Sequence, residues 1–268
     1  MTWHFTRDAG AFRTAAGDRL AAAPARHTTV LTLADGAALL GWWTEPDGAV
    51  TGTCVLAAPD VPVLGVMARP AARALARTLP GVDAVTGVRG ETDTCGTFAR
   101  QLGRSWRTTR RMRLFRLGEP TPPCPPPPGR ARPATAEDVP LAVAWTRDFA
   151  RGVGEPPGDD HTPQISARVA DGRLYLWEDE GVPVSMAGLS PTLAGQARVS
   201  LVYTPPERRG RGYAGAVTST VGRVAADAGA AHVLLFTDLA NPTSNALYPR
   251  LGYRPVCDHA ALSFTAGP

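Results

Sequence analysis

The sequence predicts an α/β chain of the α+β kind, made of two domains in which a mixed, mostly antiparallel central sheet is flanked by helices. Three observations carry this expectation. Residues 200–253 read as strand, glycine-rich loop, helix, strand and helix. The same order of elements recurs over residues 63–116. Between the two copies, from Gly118 to Gly129, runs a stretch too rich in proline for the interior of a helix or a sheet. At 268 residues and 44% hydrophobic content, the chain can furnish two ordinary cores.

The first half opens with an alanine-rich helix over Ala11–Ala25. Strands at Ala37–Trp43 and Val50–Ala57 follow, joined by the turn Glu45-Pro46-Asp47-Gly48. Val63–Val66 is a strand, Pro70–Leu79 a helix, Ala84–Val88 a strand, Glu91–Gly103 a helix closed by glycine, and Met112–Arg116 a strand. Arg104, Arg107, Arg110, Arg111 and Arg113, with Trp106 among them, suit either a nucleic-acid contact or the solvated face of that last strand. The proline-rich stretch reads as a stiff linker, or else as a ligand for a proline-recognising module. The expected boundaries are therefore 1–117, a linker at 118–130, and 131–268.

In the second half, Val139–Arg151 and Ile165–Asp171 are helices. Thr135 suits the N-cap of the first, with Asp138 as its capping-box partner. Leu174–Glu178 and Pro183–Leu189 form a hairpin, and Ala197–Thr204 is a strand ended by Pro205-Pro206. The loop Glu207–Gly212 holds Arg208, Arg209, Arg211, Gly210 and Gly212, and it feeds a helix over 213–228. Amides at a helix N-terminus lack intrahelical partners, the helix dipole adds positive charge, and glycine lets a guest approach the backbone. With three forked guanidiniums beside it, the loop is suited to a phosphate or pyrophosphate, although a solvated turn has the same composition. Neither GxGxxG nor GK[ST] is present. His232–Thr237 is a short strand, Asn241-Pro242 caps and opens a helix, and Gly252 ends it. Asn241, Asn245 and Tyr248 share one face of that helix, while Leu247 and Leu251 take the next. A strand begins at Arg254. Tyr248 also admits a simpler reading as a packing tyrosine.

The spacing Arg209-x-x-Gly212-x-Ala214 resembles the [Q/R]-x-x-G-x-[G/A] pyrophosphate loop of the GNAT superfamily of N-acetyltransferases. The segment N-x-x-S-N-x-L-Y-x-x-L-G-Y from Asn241 to Tyr253 is similar to the same family, as is the Arg132–Val139 stretch RPATAEDV. The resemblance implies an N-acetyltransferase whose cofactor is acetyl-CoA, acting on a small-molecule or peptide amine without a metal. It places the pyrophosphate on the loop from Arg208 and Arg209 through Gly210, Arg211, Gly212 and Tyr213 to Ala214. The pantetheine falls on strand residues Leu201, Val202, Tyr203 and Thr204 and on Asn241, Ser244 and Asn245, and Tyr248 gives a proton to the departing thiolate. A strand amide near Val202 or Tyr203 would polarise the thioester carbonyl. The first two helices of the second half then wall the acceptor, with Trp145, Phe149 and Glu178 as substrate-side candidates and packing as the other reading of the two aromatics. The acidic connection between them, Gly154–His161, suits a cationic amine. Glu178, Glu180 and Glu207 are possible bases, though a glutamate so placed is more often a solvated charge. In the first half Val66-Met67-Ala68-Arg69-Pro70 replaces the glycine loop and Phe98 stands where a phenol might be sought, so that half is expected to be a degenerate GNAT-like copy. Transfer from another acyl-CoA, and a CoA-binding sensor that no longer catalyses, are the alternative functions.

All 28 basic residues are arginine, so the formal charge of +4 reflects cation choice more than a nucleic-acid partner. Cys54, Cys95, Cys124 and Cys257 are dispersed without metal-ligand spacing, as expected of reduced thiols. No apolar run reaches the length of a membrane span, and Met1–Leu20 mixes arginine with aspartate where a signal peptide would be apolar. A cytoplasmic protein without nucleic-acid or membrane partners is expected, its oligomeric state open.

Overall fold

Alternating apolar residues along each strand give both faces of a sheet something to bury, and helices cover both faces. The computed structural model describes residues 1–58, 60–154 and 160–265. The chain divides into two compact units that depart from chain order. The first comprises residues 1–114, 237–242 and 255–268, and the second residues 115–236 and 243–254.

In the first unit, strands β1 (Thr2–Thr6), β2 (Leu39–Thr44), β3 (Val50–Ala58), β4 (Val61–Leu64) and β5 (Gly87–Glu91) lie side by side in that order. The last strand of the chain, β12 (Tyr253–Phe264), then follows β5. All pair antiparallel except β4 with β5, whose parallel pairing needs the crossover helix α3 (Arg69–Thr78). Helices α3 and α4 (Thr92–Leu102) cover one face through Leu75, Phe98, Val88 and Leu262. Helices α1 (Ala9–Ala22) and α2 (Thr28–Leu33) cover the other through Phe12, Leu20, Val30, Leu40 and Val55. Asp8 caps α1, its carboxylate accepting from the amides of Gly10 and Ala11 at 2.7 and 3.2 Å. The strand expected at 112–116 is the end of a longer β6 (Trp106–Leu117). Of its arginines, Arg113 forms a two-pronged pair with Asp258 at 2.6 and 2.8 Å and Arg110 lies 3.7 Å from Asp238, while just ahead of the strand Arg104 donates to the carbonyl of Val85 at 2.7 Å.

The second unit repeats the plan. Strands β7 (Arg130–Pro133), β8 (Leu174–Asp179), β9 (Val182–Leu189) and β10 (Gln196–Tyr203) pair antiparallel in sequence. Strand β11 (His232–Asp238) then pairs parallel with β10 across helix α7 (Tyr213–Asp227). On one face α7 buries Tyr213, Val217 and Val221 against Val199, Val233 and Leu235. On the other, α5 (Val139–Gly152) and α6 (Thr162–Ala170) bury Trp145 and Ile165 against Leu174, Leu176, Met186 and Tyr203. Helix α8 (Pro242–Arg250) follows β11.

Two expectations change here. Residues 255–264, assigned by chain order to the second domain, pair with β5 from His259 opposite Glu91 to Ser263 opposite Gly87. The proline-rich stretch is no free spacer either. The amides of Gly118 and Thr121 donate to the carbonyls of Gly252 and Leu251 at 3.0 and 3.1 Å, and Trp177 Nε1 donates to that of Pro128 at 2.8 Å. The short helix α2 and strands β1 and β7 went unanticipated. No helix among the described residues is long and apolar enough to cross a membrane.

The expected capping box at Thr135 forms, with the Asp138 carboxylate accepting from the Thr135 amide at 2.7 Å. Asp138 also receives both terminal nitrogens of Arg132 at 2.7 and 3.0 Å, while Arg132 Nε reaches Glu178 on β8. Arg132, ahead of these hydrogen bonds' other contributions, holds the Asp138 carboxyl down to about 2. A carboxyl depressed in the folded state contributes stability above its unfolded value of about 4 and loses it as pH falls toward its folded value. Resistance to denaturant should therefore fall as pH drops from about 4 to 2, and Arg132→Met should flatten that dependence; an unchanged slope would show that the triad contributes nothing.

Candidate active site

Strand β10 carries the central feature. Its pairing with β11 runs from Gln196 opposite His232 to Val199 opposite Leu235, yet β10 continues to Tyr203, so the two strands part beyond that point. There β10 also slips against β9, with Ser200 opposite Gly188 but Tyr203 opposite Met186. One extra residue is accommodated as a bulge, and Leu201 takes a left-handed φ of 53°. The change shows in the packing. Val199 and Val202 both belong to the α7 side, and Leu201 and Tyr203 to the α5 side. A bulge takes amides out of the ladder, and one placed where strands part offers them to an elongated guest.

After the strand, Pro205 and Pro206 turn the chain into the loop. Arg209 Nε donates back to the carbonyl of Thr204 at 3.0 Å, tying the loop to the strand end. Gly210 and Gly212 have φ of 77° and 85°, which other L-residues adopt only at a cost. Gly212 is the N-cap of α7, where no side chain caps the helix and no acidic residue lies in the first turn. The helix therefore presents its first amides and the positive end of its dipole beside Arg208, Arg209 and Arg211. Pro127 lies 3.7 Å from where a Cβ on Gly212 would stand, and Pro123 lies 3.5 Å from one on Gly215, so the proline-rich stretch borders the loop.

Tyr248 on α8 is buried. Its ring packs at 6.4 Å on Phe115 and edge-on at 5.9 Å against Tyr253. Burial, partly offset by a hydrogen bond with Ser244, pushes its phenol up to about 12, so the proton stays on oxygen at neutral pH. On the α5 side, Tyr203 donates to Asp148 Oδ2 at 3.3 Å and its ring lies 5.9 Å from that of Trp145.

Several expected site residues have other duties. Glu178 on β8 is held in an ion pair by Arg132. The Tyr213 side chain lies in the core with its hydroxyl donating to Asp179 at 2.5 Å, so only its backbone remains available to a phosphate. Trp145 is buried against Tyr203, and Phe149 packs beside it. Thr204 Oγ1 meets Ser185 Oγ at 2.8 Å inside the unit. Asn241 stands exposed just ahead of α8. The connection expected to attract a cationic amine lies for the most part, at residues 155–159, outside the described residues.

The first unit lacks an equivalent loop. Its α3 begins at Arg69 with Pro70, which has no N–H to offer, and a Cβ on Gly65 would stand 2.1 Å from Thr53 Oγ1. Phe98 is fully buried. A polar cavity of about 450 Å³ in this unit is lined by Glu91, Asp93, Arg111, Cys257 and His259. Glu91, Cys257 and His259 bring donor atoms within 4.8 Å of one another, but both oxygens of Glu91 are taken by Arg26 at 2.7 and 2.5 Å. Burial, and secondarily Glu91, pushes the Cys257 thiol up to about 12, so the cluster is a protonated thiol in an ion-pair network.

The acetyltransferase (GNAT) family profile matches residues 141–253, which span α5 through α8. Solved structures share the fold across nearly the whole chain. A GCN5-related N-acetyltransferase from Sphaerobacter thermophilus aligns with a TM-score of 0.68 at 17% identity over 97% of this chain and 94% of its own. A GNAT-family acetyltransferase from Colwellia psychrerythraea gives 0.63 at 12% over 98% and 99%. A GCN5-related N-acetyltransferase from Kribbella flavida gives 0.61 at 21% over 93% and 95%. The first half of the chain is thus GNAT-like in fold as well. A search of curated proteins found no match.

The geometry of Gly212 makes a direct prediction. Gly212→Glu adds a carboxylate and a strained φ at the helix N-terminus, and if the loop holds a pyrophosphate, affinity for coenzyme A used as the probe should be at least about 100-fold lower than in wild type, nearly 3 kcal/mol. Titration calorimetry beside an unchanged circular dichroism spectrum checks this; unchanged affinity would remove the loop from the site.

Proposed function

We propose, from the match of residues 141–253 to the acetyltransferase (GNAT) family profile, that the chain is an acetyl-CoA-dependent N-acetyltransferase acting on a primary amine by direct attack. The observation that carries this reading is the bulged parting of β10 from β11, next to an uncapped glycine-arginine helix N-terminus. The residues fit the cofactor. Positive-φ glycines at 210 and 212 leave the α7 amides open to a pyrophosphate, and the amides at 201–203 lie where an extended amide-bearing arm could pair as a strand would. Acetyl-CoA, when bound, supplies the thioester whose acetyl group passes to the amine as the C–S bond breaks.

The chain's own residues then have three tasks. The amide of Val202 or Tyr203 donates to the carbonyl oxygen as negative charge develops there, which a preorganised donor in a water-poor site does without reorganisation cost. Tyr248 is read as the group that delivers a proton to the leaving sulfur, its phenol carrying that proton at neutral pH. The amine gives up its own proton to water or a carboxylate, for which no residue is assigned. Asn241, Ser244 and Asn245 at the start of α8 are read as partners of the pantetheine arm. Four cysteines stand as free thiols, which supports a reducing, cytoplasmic setting.

Tyr248→Phe keeps the ring and removes the proton. It should lower kcat by about 100-fold while leaving the Kd for acetyl-CoA within about twofold. Steady-state rates with an accepted amine, beside titration of acetyl-CoA, separate the two effects. Equal kcat would take the acid's role from Tyr248.

A further inference from the structure

The two faces of the second unit's sheet hold different polar groups beside the bulge. Tyr248 packs with Tyr213 and Val217 in the cluster on the α7 side, whereas Leu201 and Tyr203 belong to the cluster on the α5 side. A nucleophile and the group it displaces stand in different directions from the carbonyl carbon they share, so a side chain that relieves the amine of its proton belongs on the face away from Tyr248. On that face Ser200 Oγ already accepts from Arg168 Nη1 at 2.8 Å. Beyond the bulge, Tyr203 donates its hydroxyl to Oδ2 of Asp148, on α5, at 3.3 Å.

Tyr203 is fixed from three directions. The buried Ser185 Oγ donates to its carbonyl at 2.9 Å, its ring lies 5.9 Å from that of Trp145, and Asp148 receives its hydroxyl. Its own amide is one of the two read as donors to the thioester carbonyl, so a single residue sets the span from that carbonyl to the hydroxyl. A phenol that donates to a carboxylate keeps its oxygen lone pairs for another donor, and an amine N–H is one. The 3.3 Å separation is long for a hydroxyl on a carboxylate, as catalytic hydrogen bonds often are before a substrate arrives. Asp148 also pairs with Arg151, one turn along α5, and is partly exposed, which gives it a way to exchange protons with water. Burial first, and Asp148 second, hold the Tyr203 phenol above its ordinary value, with Arg209 of the loop acting against them and Glu207 with them. At neutral pH the hydroxyl is therefore un-ionised, and it takes up a proton only as it hands one on.

We infer that the Tyr203 hydroxyl is the group that receives the acceptor's proton, with Asp148 as the positioning residue that takes the phenol's proton in turn and passes it to water. This rests on the acetyltransferase reading for the amine and the acetyl transfer. The acceptor is then an amine that arrives as an ammonium ion. One N–H bond breaks before attack, and a second breaks once the new N–C bond has formed. Each proton moves to the Tyr203 oxygen as the Tyr203 proton moves to Asp148, which is emptied to water between the two. Water restores the proton that Tyr248 gives to sulfur, so one proton is released per acetyl group transferred.

The test compares nucleophiles that differ in whether they carry a proton to lose. Ethylamine, benzylamine and Nα-acetyl-lysine amide are ammonium ions at neutral pH, whereas hydroxylamine is neutral. Tyr203→Phe keeps the ring against Trp145 and should lower kcat/KM for the alkylamines by about 100-fold, while hydroxylamine acetylation and the Kd for acetyl-CoA stay within about threefold of wild type. Asp148→Asn, at a partly exposed position, should lower the alkylamine values by at least about tenfold, and its deficit should narrow as pH rises toward the amine's own ionisation near about 10. A structural role would depress both kinds of nucleophile alike and at every pH. Equal losses for alkylamines and hydroxylamine, an alkylamine rate untouched by both variants, a deficit in Asp148→Asn that does not change with pH, or a wild type that acetylates hydroxylamine and none of the three alkylamines would overturn the inference. A wild type that neither binds acetyl-CoA nor acetylates hydroxylamine above the spontaneous rate would overturn the acetyltransferase reading itself, and the inference with it.

Discussion

The parting of two parallel strands is the constraint on which the rest depends. Parallel pairing of β10 and β11 needs a crossover, and α7 supplies it, so the first amides of α7 lie just beyond the end of β10. If pairing continued to Tyr203, the backbone there would be spent on the sheet. Because it stops at Val199 and a bulge follows at Leu201, the strand end, the loop and the helix N-terminus offer donors in succession along one path. Helix α8, carrying Tyr248, follows β11 and packs with α7 in the same apolar cluster.

The same construction sets the two units apart. Both contain a parallel pair joined by a helix, β4-α3-β5 and β10-α7-β11. The difference lies in a few residues at the junction. Glycine at 210 and 212 permits left-handed backbone and close approach, whereas Ala68, Arg69 and Pro70 start α3 from extended backbone with one donor fewer. Phe98 is buried in the apolar core of the first unit, while Tyr248 brings an ionisable hydroxyl into that of the second.

Much of this was legible in the sequence. The glycine-arginine loop, its helix, the capping residues at Thr135 and the face carrying Tyr248 follow from local rules of backbone and spacing. What escaped is what local rules do not encode. Ser200 to Thr204 reads as an unbroken strand, and nothing about a leucine announces a positive φ, so the bulge was invisible. Residues 255–264 read as a strand whichever partner they take, and pairing with β5 is a tertiary choice. Thr28–Leu33, with its run of β-branched and leucine residues, has strand propensity that packing overrides in favour of a helix.

Hydrogen exchange of the wild-type protein with and without acetyl-CoA reaches the central claim most directly, because it reads the very amides the opening is thought to offer. Protection should appear together at residues 201–203 and at 210–216, with little change along β8 and β9. Protection confined to other elements, with these amides exchanging as before, would contradict the account.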